Sequence, residues 1–331
     1  MSHVPVMLDE VLHALEPRDG ALYIDGTFGA GGYSRGILSA AETRLIGIDR
    51  DPSVLPAADQ LTRAAGKRFA FVQAAFGDME NVVKELGGEF VDGIVLDIGV
   101  SSMQIDQAER GFSFMRAGPL DMRMSDKGPT AADAVNRLGE ADLADIFYVY
   151  GEERKSRRVA KFIVEARKDS PIETTDRLAE IISNSLGGKH SKIHPATKSF
   201  QALRIFVNDE LGELAKALSA AEKLLSPLGR LVVVTFHSLE DRMVKTFLRS
   251  RCGMSGGGGS RHVPAVEAGP APSFRLLSRK AVVAGAAETD VNPRARSAKL
   301  RLGVRTEAEA WSDKPQHPGH VVSLDRLEMM L

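Results

Sequence analysis

YIDGTFGAGGYS, residues 23–34, decides how this chain is expected to fold. A short apolar strand runs into a turn carrying Gly26, Gly29, Gly31 and Gly32, and a helix follows over 34–40. Without side chains on the turn, a ligand can approach the backbone and meet free N–H groups at the helix start. RLIGID (44–49) is a second strand, and it ends in Asp49. An acid at the tip of strand two is placed to accept hydrogen bonds from a ribose. Together the two stretches describe an adenosine-containing ligand held over the carboxyl edge of a parallel sheet.

The turn narrows the choice of ligand. The nearest dinucleotide frame, Gly29-x-Gly31-x-x-Ser34, fails at its third glycine, and no lysine stands between positions 1 and 66 to make a phosphate-binding Walker loop. The D-G-x-x-G-x-G-G run resembles instead the first motif of class I S-adenosylmethionine (SAM) methyltransferases. That ligand has no pyrophosphate, so the loop would hold a methionine moiety.

Outside the loop, composition sets limits. The chain has 331 residues, 43% hydrophobic and 26% charged, the make-up of an ordinary globular protein. No apolar run approaches the length of a membrane span, and MSHVPVMLDEVL lacks the regions of a signal peptide. The single cysteine, Cys252, excludes an internal disulfide and a cysteine-rich metal site. A cytoplasmic protein without membrane contact is expected. The net charge of −1 argues against a nonspecific polyanion binder. Two local clusters stand out nonetheless: Arg154, Lys155, Arg157, Arg158 and Lys161, then Arg294, Arg296, Lys299 and Arg301. Each reads either as a solvated face or as a track for nucleic-acid phosphates.

The first hundred residues alternate strands (21–25, 44–49, 68–73, 91–98) with helices (34–40, 53–65, 78–86). A strand, RLVVVTF (230–236), resumes after the turn Ser226-Pro-Leu-Gly229. Between them the apolar spacing is helical over 140–150, 153–167, 174–185 and 196–211. The fold expected is α/β, a Rossmann-like parallel sheet with an all-helical domain inserted after the fourth strand. Its boundaries would be 1–106 with 209–305 for the sheet domain, 107–208 for the insertion, and 306–331 for a C-terminal tail. The glycine- and proline-rich stretch 251–272 forbids regular structure, and 274–282 with 297–305 reads as a closing antiparallel pair.

Several residues carry candidate chemistry. Asp97 ends strand four, where ligand and substrate meet in a doubly wound sheet, and Gln104 follows on the turn into the insertion. Phe76 ends strand three, where a ring can lie on an adenine or simply fill the core. In ERGFSFMRAGPLDMRM (109–124), Phe112 and Phe114 are interleaved with methionines and arginines. Such a segment either plugs a loop onto the body or forms a pocket that stacks a flipped base. In TFHSLEDR (235–242), Ser238 reads as a helix cap with Asp241 at its third position, and His237 faces the active edge as a candidate substrate contact. His190 and His194 are four apart, but Gly187, Gly188 and Pro195 prevent the helix that would align them, so no metal site is expected.

Taken with the loop, the stretches Asp97-x-Gly-Val-Ser-Ser, GFSFMRAGPLDMRM, HPATKSFQALRIFVNDEL, TFHSLEDR and NPRARSAKLR make the chain resemble the RsmH (MraW) family from about His3 to Arg305. Members are bacterial SAM-dependent methyltransferases acting on N4 of a cytosine in the decoding region of small-subunit (16S) ribosomal RNA. The resemblance implies a SAM site of Gly31, Gly32, Tyr33, Asp49, Phe76, Asp97 and Gln104. Tyr33 replaces the usual histidine, so only its backbone is expected to contribute, and Met103 replaces a usual proline. The implied partner is 16S rRNA within the small subunit, with Phe112, Phe114, Arg157, Arg158, His237, Arg294 and Arg296 as its candidate contacts. Asp97 is the candidate proton acceptor, because a cytosine amine needs one to direct its lone pair outward. The oligomeric state stays open, a homodimer included.

Overall fold

The computed structural model describes residues 5–187, 194–254, 269–315, 319 and 321–331, with the backbone alone at Ser102. The chain divides into two compact units. Met1–Gly99 with Glu213–Gln316 form the first, and Val100–Gly212 with His317–Leu331 the second. The segment 306–331, set apart in sequence as a tail, is thus split between them.

The first unit opens with an element that the sequence pattern does not announce, helix α1 (Leu8–Leu15). It packs on the next helix, where a Cβ on Gly36 would stand 3.0 Å from Leu8. Then come β1 (Leu22–Asp25), α2 (Gly32–Ala40), β2 (Arg44–Asp49), α3 (Leu55–Ala65), β3 (Phe69–Gln73), α4 (Met79–Glu85) and β4 (Val91–Asp97). Ile94, Val95 and Leu96 of β4 are wholly buried. A central parallel strand covered on both faces has that continuous apolar run.

The second unit carries α5 (Ser102–Asp106), α6 (Ala131–Arg137), α7 (Glu140–Val149), α8 (Ser156–Asp169), α9 (Thr175–Leu186) and α10 (Thr197–Val207), and α11 (Glu210–Leu224) starts within it. The single helix expected over 196–211 is broken at Asn208-Asp209, where Asp209 takes φ 45°. Asn208 explains the break. Its side chain donates to the carbonyls of Met122 and Arg204 and accepts the Met124 N–H at 2.7 Å. The residue fastens the irregular 122–124 segment instead of extending the helix. Arg204 then grips Glu210 across the break with two bonds of 2.7 and 2.8 Å.

Back in the first unit are β5 (Leu225–Thr235), α12 (Ser238–Arg251), β6 (Phe274–Arg275), β7 (Val282–Val283), α13 (Ala286–Val291) and β8 (Lys299–Arg305), while α14 (Leu324–Glu328) belongs to the second. Strand order is β3-β2-β1-β4-β5-β8-β6, with β7 also on β8. Strands β1 to β5 run parallel, and β8 lies antiparallel to β5. The order reverses between β1 and β4, and that is where a doubly wound sheet opens its ligand crevice. The architecture is the class I, Rossmann-like α/β fold.

Two local expectations change. The turn at 226–229 lies inside β5 as an irregularity opposite Val91–Gly93, with Leu228 at φ 69°. The stretch 274–282 is two short strands, each paired with β8, in place of one. Most of the 251–272 stretch lies outside the described residues, and its described part after Arg251 holds no helix or strand. Residues just past β8 are anchored on a buried ion pair. Arg251, 1% exposed, bonds Glu222 at 2.8 Å and Asp313 at 3.1 Å, and its guanidinium lies 4.7 Å from the Trp311 ring. Among the described residues no helix is long and apolar enough to cross a membrane.

Candidate functional site

The glycine turn between β1 and α2 forms a cradle. Gly31 caps α2 at φ 75° with no side-chain hydrogen bond, and the Ser34 N–H of the first turn bonds the Asp25 carboxylate. A Cβ there would come within 2.8 Å of the Phe28 ring, and one on Gly32 would collide with Pro5. On Gly26 it would meet Leu96 at 2.5 Å and Phe76 at 3.3 Å. Phe76 therefore borders the cradle, half-buried in a 3-10 turn after β3. Asp49 fixes the turn from β2. Its carboxylate accepts the Gly29 N–H at 2.7 Å and the Asp51 N–H at 2.9 Å.

Carboxylates gather at this edge. Asp25, wholly buried at the end of β1, accepts the Ser34 hydroxyl at 2.7 Å and the Thr27 N–H at 3.2 Å. Burial still pushes it up to about 6, helped by the charge of Asp49. Burial raises Asp49 as well. Asp97 goes furthest, to about 8, through burial first and then the charges of Asp25 and Glu240. Its N–H donates to the Thr27 hydroxyl at 2.7 Å, which ties β4 to the cradle. One carboxylate oxygen, Asp97 Oδ1, is enclosed and has no hydrogen-bond partner. Tyr33 is buried, with its hydroxyl donating to the Val6 carbonyl and also hydrogen-bonded to Asp97. The contact with Tyr33 works against burial and lowers the Asp97 carboxyl, the smallest of the influences on it.

The start of α12 differs from expectation. His237, not Ser238, is the cap, and Glu240 stands at the third position. Glu240 Oε2 accepts the N–H groups of Phe236 and His237 at 2.9 and 3.2 Å. The His237 Nε2 lies 2.9 Å from Glu240 Oε1, and its Nδ1 faces the Glu240 N–H at 3.5 Å. Both ring nitrogens are thus turned to Glu240. Asp241 points to β8, where it accepts from Arg301 Nε at 2.7 Å and Lys299 Nζ at 3.3 Å. That pairing holds Asp241 below the usual carboxylate range. Arg294 and Arg296 are exposed on a 3-10 turn before β8.

The other candidates lie in the second unit. Gln104 is buried at the third position of α5, where its side chain accepts the Ser101 N–H at 2.9 Å in a capping box. Met122 and Met124 are core residues. The arginines beside them are engaged, Arg110 with the carbonyls of 123 and 124, Arg123 with Asp121. Phe114 packs against His194 and Phe200 with centroids 4.5 and 4.8 Å apart. Phe112 lies under Arg110 at 5.8 Å. Arg157 and Arg158 are exposed on α8, Arg158 within 5.6 Å of the Phe162 ring.

Asp25, Ser34 and Glu240 belong to the site and were not singled out for it by sequence. Asp25 opens the glycine motif itself, and that position was the available signal. Glu240 carried none beyond the cap spacing.

The arrangement suits a cationic ligand with an adenosine part. The open glycine cradle admits it, and the unpartnered Asp97 oxygen among raised carboxyls calls for a positive charge. The model of the MraW methylase family matches residues 1–306. The curated "Ribosomal RNA small subunit methyltransferase H" of Maricaulis maris is 74% identical over 329 residues, 99% of this chain and 98% of its own. The protein of that name from Caulobacter vibrioides is 59% identical over 310 residues, 93% of this chain and 97% of its own. Among solved structures, a putative rRNA-methylase from Clostridium thermocellum aligns over 92% of this chain and 99% of its own, at 9% identity and TM-score 0.42. Family match and relatives extend across sheet, cradle and helical unit alike, and the chain belongs to the MraW methylase family.

Proposed function

We propose that this protein transfers the methyl group of SAM to N4 of a cytosine in the decoding region of small-subunit (16S) ribosomal RNA. The observation that carries the reading is the orphaned oxygen of Asp97 within a cluster of carboxyls around a glycine cradle. SAM is a cation at sulfur and at its amino group, whereas a dinucleotide would bring phosphates against these acids. When bound, it supplies an electrophilic methyl group. The names of the relatives and the family resemblance support the RNA substrate.

The chain's own groups divide the work. Gly31 and Gly32 let Phe28 and Pro5 pack tightly against the turn, and the backbone at the start of α2 would meet the ligand carboxylate. Asp49 would accept ribose hydroxyls and Phe76 would offer its ring to the adenine. Tyr33 contributes more than backbone, since its hydroxyl hydrogen-bonds Asp97 and opposes the upward push of burial on that carboxyl. Gln104 joins the cofactor set through the family resemblance. Asp97 would take the proton that the cytosine amine loses as its N–CH3 bond replaces the S–CH3 bond of SAM and S-adenosylhomocysteine departs. A carboxyl raised to about 8 is a stronger base than an ordinary one once ionised. His237 serves as the cap of α12, its backbone N–H donating to the Glu240 carboxylate at 3.2 Å. Arg157, Arg158, Arg294 and Arg296 contact phosphates, with Phe112 and Phe114 flanking the base. The protein is expected to act in the cytoplasm.

Transfer of a labelled methyl group from SAM to isolated small subunits, to naked 16S rRNA and to a mixture of metabolites tests the reading. Label is expected in a single cytosine of the rRNA. Label confined to small molecules, or absent from all three, overturns it.

A further inference from the structure

A groove in the first unit runs beside α12 and encloses about 200 Å3. Its lining comes from three parts of the chain: α12 with the residues just after it, the 276–280 segment, and β8. Lys245 and Arg249, one helical turn apart on α12, share an edge with Arg279 and Lys280. All four are exposed, and among the described residues none forms an ion pair. The lining contains no acid. Its fifth cation, Arg301, is already held by Asp241 at 2.7 Å. Beneath them lies apolar surface, Leu248 buried, Met254 and Leu276 half-buried.

Helix electrostatics account for one of these charges at most. Arg249 stands in the last turn of α12, where a cation complements the carboxyl end of the helix. Lys245 is in mid-helix, and Arg279 and Lys280 belong to no helix. Four exposed cations from two segments over an apolar floor make a local positive potential that favours a polyanion. An extended ribose–phosphate chain meets both features at once, its phosphates on the cations and its sugars and bases on the aliphatic floor.

We propose that this groove binds the single-stranded backbone of RNA, with Lys245, Arg249, Arg279 and Lys280 on successive phosphates and Leu248 and Met254 beneath the sugars. It rests on the proposed RNA substrate and adds a second contact region to it. On α12 the lining runs from Lys245 to Arg249, about 6 Å at 1.5 Å per residue, and Arg301 and Leu302 of β8 complete it.

The test compares the full chain with its K245Q/R249Q/R279Q/K280Q variant. Anisotropy of a fluorescent 16S decoding-region fragment is followed from low to moderate salt, and ATP serves as a second probe. Losing four single-strand contacts, at about 0.7 each, should flatten the log affinity–log salt slope by roughly 2.8. The KM for small subunits should rise with kcat and SAM affinity unchanged. Equal RNA affinity and slope in both proteins would overturn the proposal. So would a variant that loses ATP binding while keeping RNA, which would mark a free-phosphate site. If the variant loses RNA binding but the parent methylates no rRNA, the groove stands and the proposed function falls.

Discussion

The carboxyl edge of the sheet and the groove along α12 belong to one unit and carry opposite charge. At the edge Asp25, Asp49, Asp97 and Glu240 converge, two of them pushed to about 6 and about 8 by burial and by one another. Along the groove, cations stand without an acid among the lining residues. A chain of net charge −1 shows neither feature in its total. The comparison teaches that opposite charges are segregated within one unit, acids at the sheet edge and exposed cations along the groove, as the proposed cationic donor and polyanion would each require. The net charge argues against a nonspecific polyanion binder, and it is silent on how charge is segregated within one unit.

The largest expected effect breaks the acidic side alone. Gly31→Val places a Cβ 2.8 Å from the Phe28 ring at φ 75°. A branched residue there carries about 1–2 kcal/mol of backbone strain and a packing penalty of about 1–3 kcal/mol. SAM affinity by calorimetry should fall on the order of a hundredfold or more, while RNA affinity holds. Undiminished SAM binding with the fold intact would remove the cradle from the site.

A smaller, graded effect follows from Asp97. Its carboxyl is raised to about 8, so the free protein holds a proton there at neutral pH, and a cation favours the ionised form. SAM affinity should therefore climb with pH by up to about tenfold per unit below 8 and level off above it. Asp97→Asn should bind more weakly at high pH and lose most of this dependence. Stability runs the other way. A carboxyl whose folded value exceeds its unfolded one contributes fully below about pH 4, and the contribution is lost as pH rises through about 8. The ligand-free parent should lose thermal stability across that range more steeply than Asp97→Asn. Identical pH profiles for the two proteins would remove Asp97 from the proton balance.

The cradle was legible because glycines, strand ends and an acid at a strand tip are backbone facts written in local order. The register of β5 and the splitting of 274–282 were not, since both depend on what β4 and β8 present across the sheet. Asn208 shows the same limit: a polar residue in a helical pattern becomes a break because the 122–124 segment needs its amide. At α12 the sequence pointed to Ser238 with Asp241, one residue past the cap that the fold uses, His237 with the buried Glu240. The groove was invisible in sequence because its cations come from residues 245–249 and 279–280.

The basic side can be sharpened by a second set of charges. Arg157 and Arg158 are exposed on α8 and take part in no ion pair among the described residues. Arg157→Gln with Arg158→Gln should flatten the salt slope of RNA binding by about 0.7 per contact and leave SAM affinity unchanged. Combined with the four groove changes, the loss of slope should be additive if both regions touch phosphates. An unchanged slope would return α8 to a solvated face.

The smallest expected effect concerns Phe114, and it separates packing from chemistry within the second unit. The ring sits 4.5 Å from His194 and 4.8 Å from Phe200, and each such aromatic pair contributes about 0.5–1.5 kcal/mol beyond burial. Phe114→Ala should therefore lower stability by roughly 1–3 kcal/mol whatever its role. Single-turnover transfer with SAM saturating isolates the rest. A ring that also flanks the target base should slow that step several-fold in the variant, with SAM affinity unchanged. Phe114→Leu, which restores bulk without an aromatic face, should recover much of the stability and little of the rate. If Leu restores both, the ring is packing alone. The plugging role already visible for Met122 and Met124 would then extend to Phe114, and Phe112, half-buried beneath Arg110, would be left as the aromatic candidate of the segment.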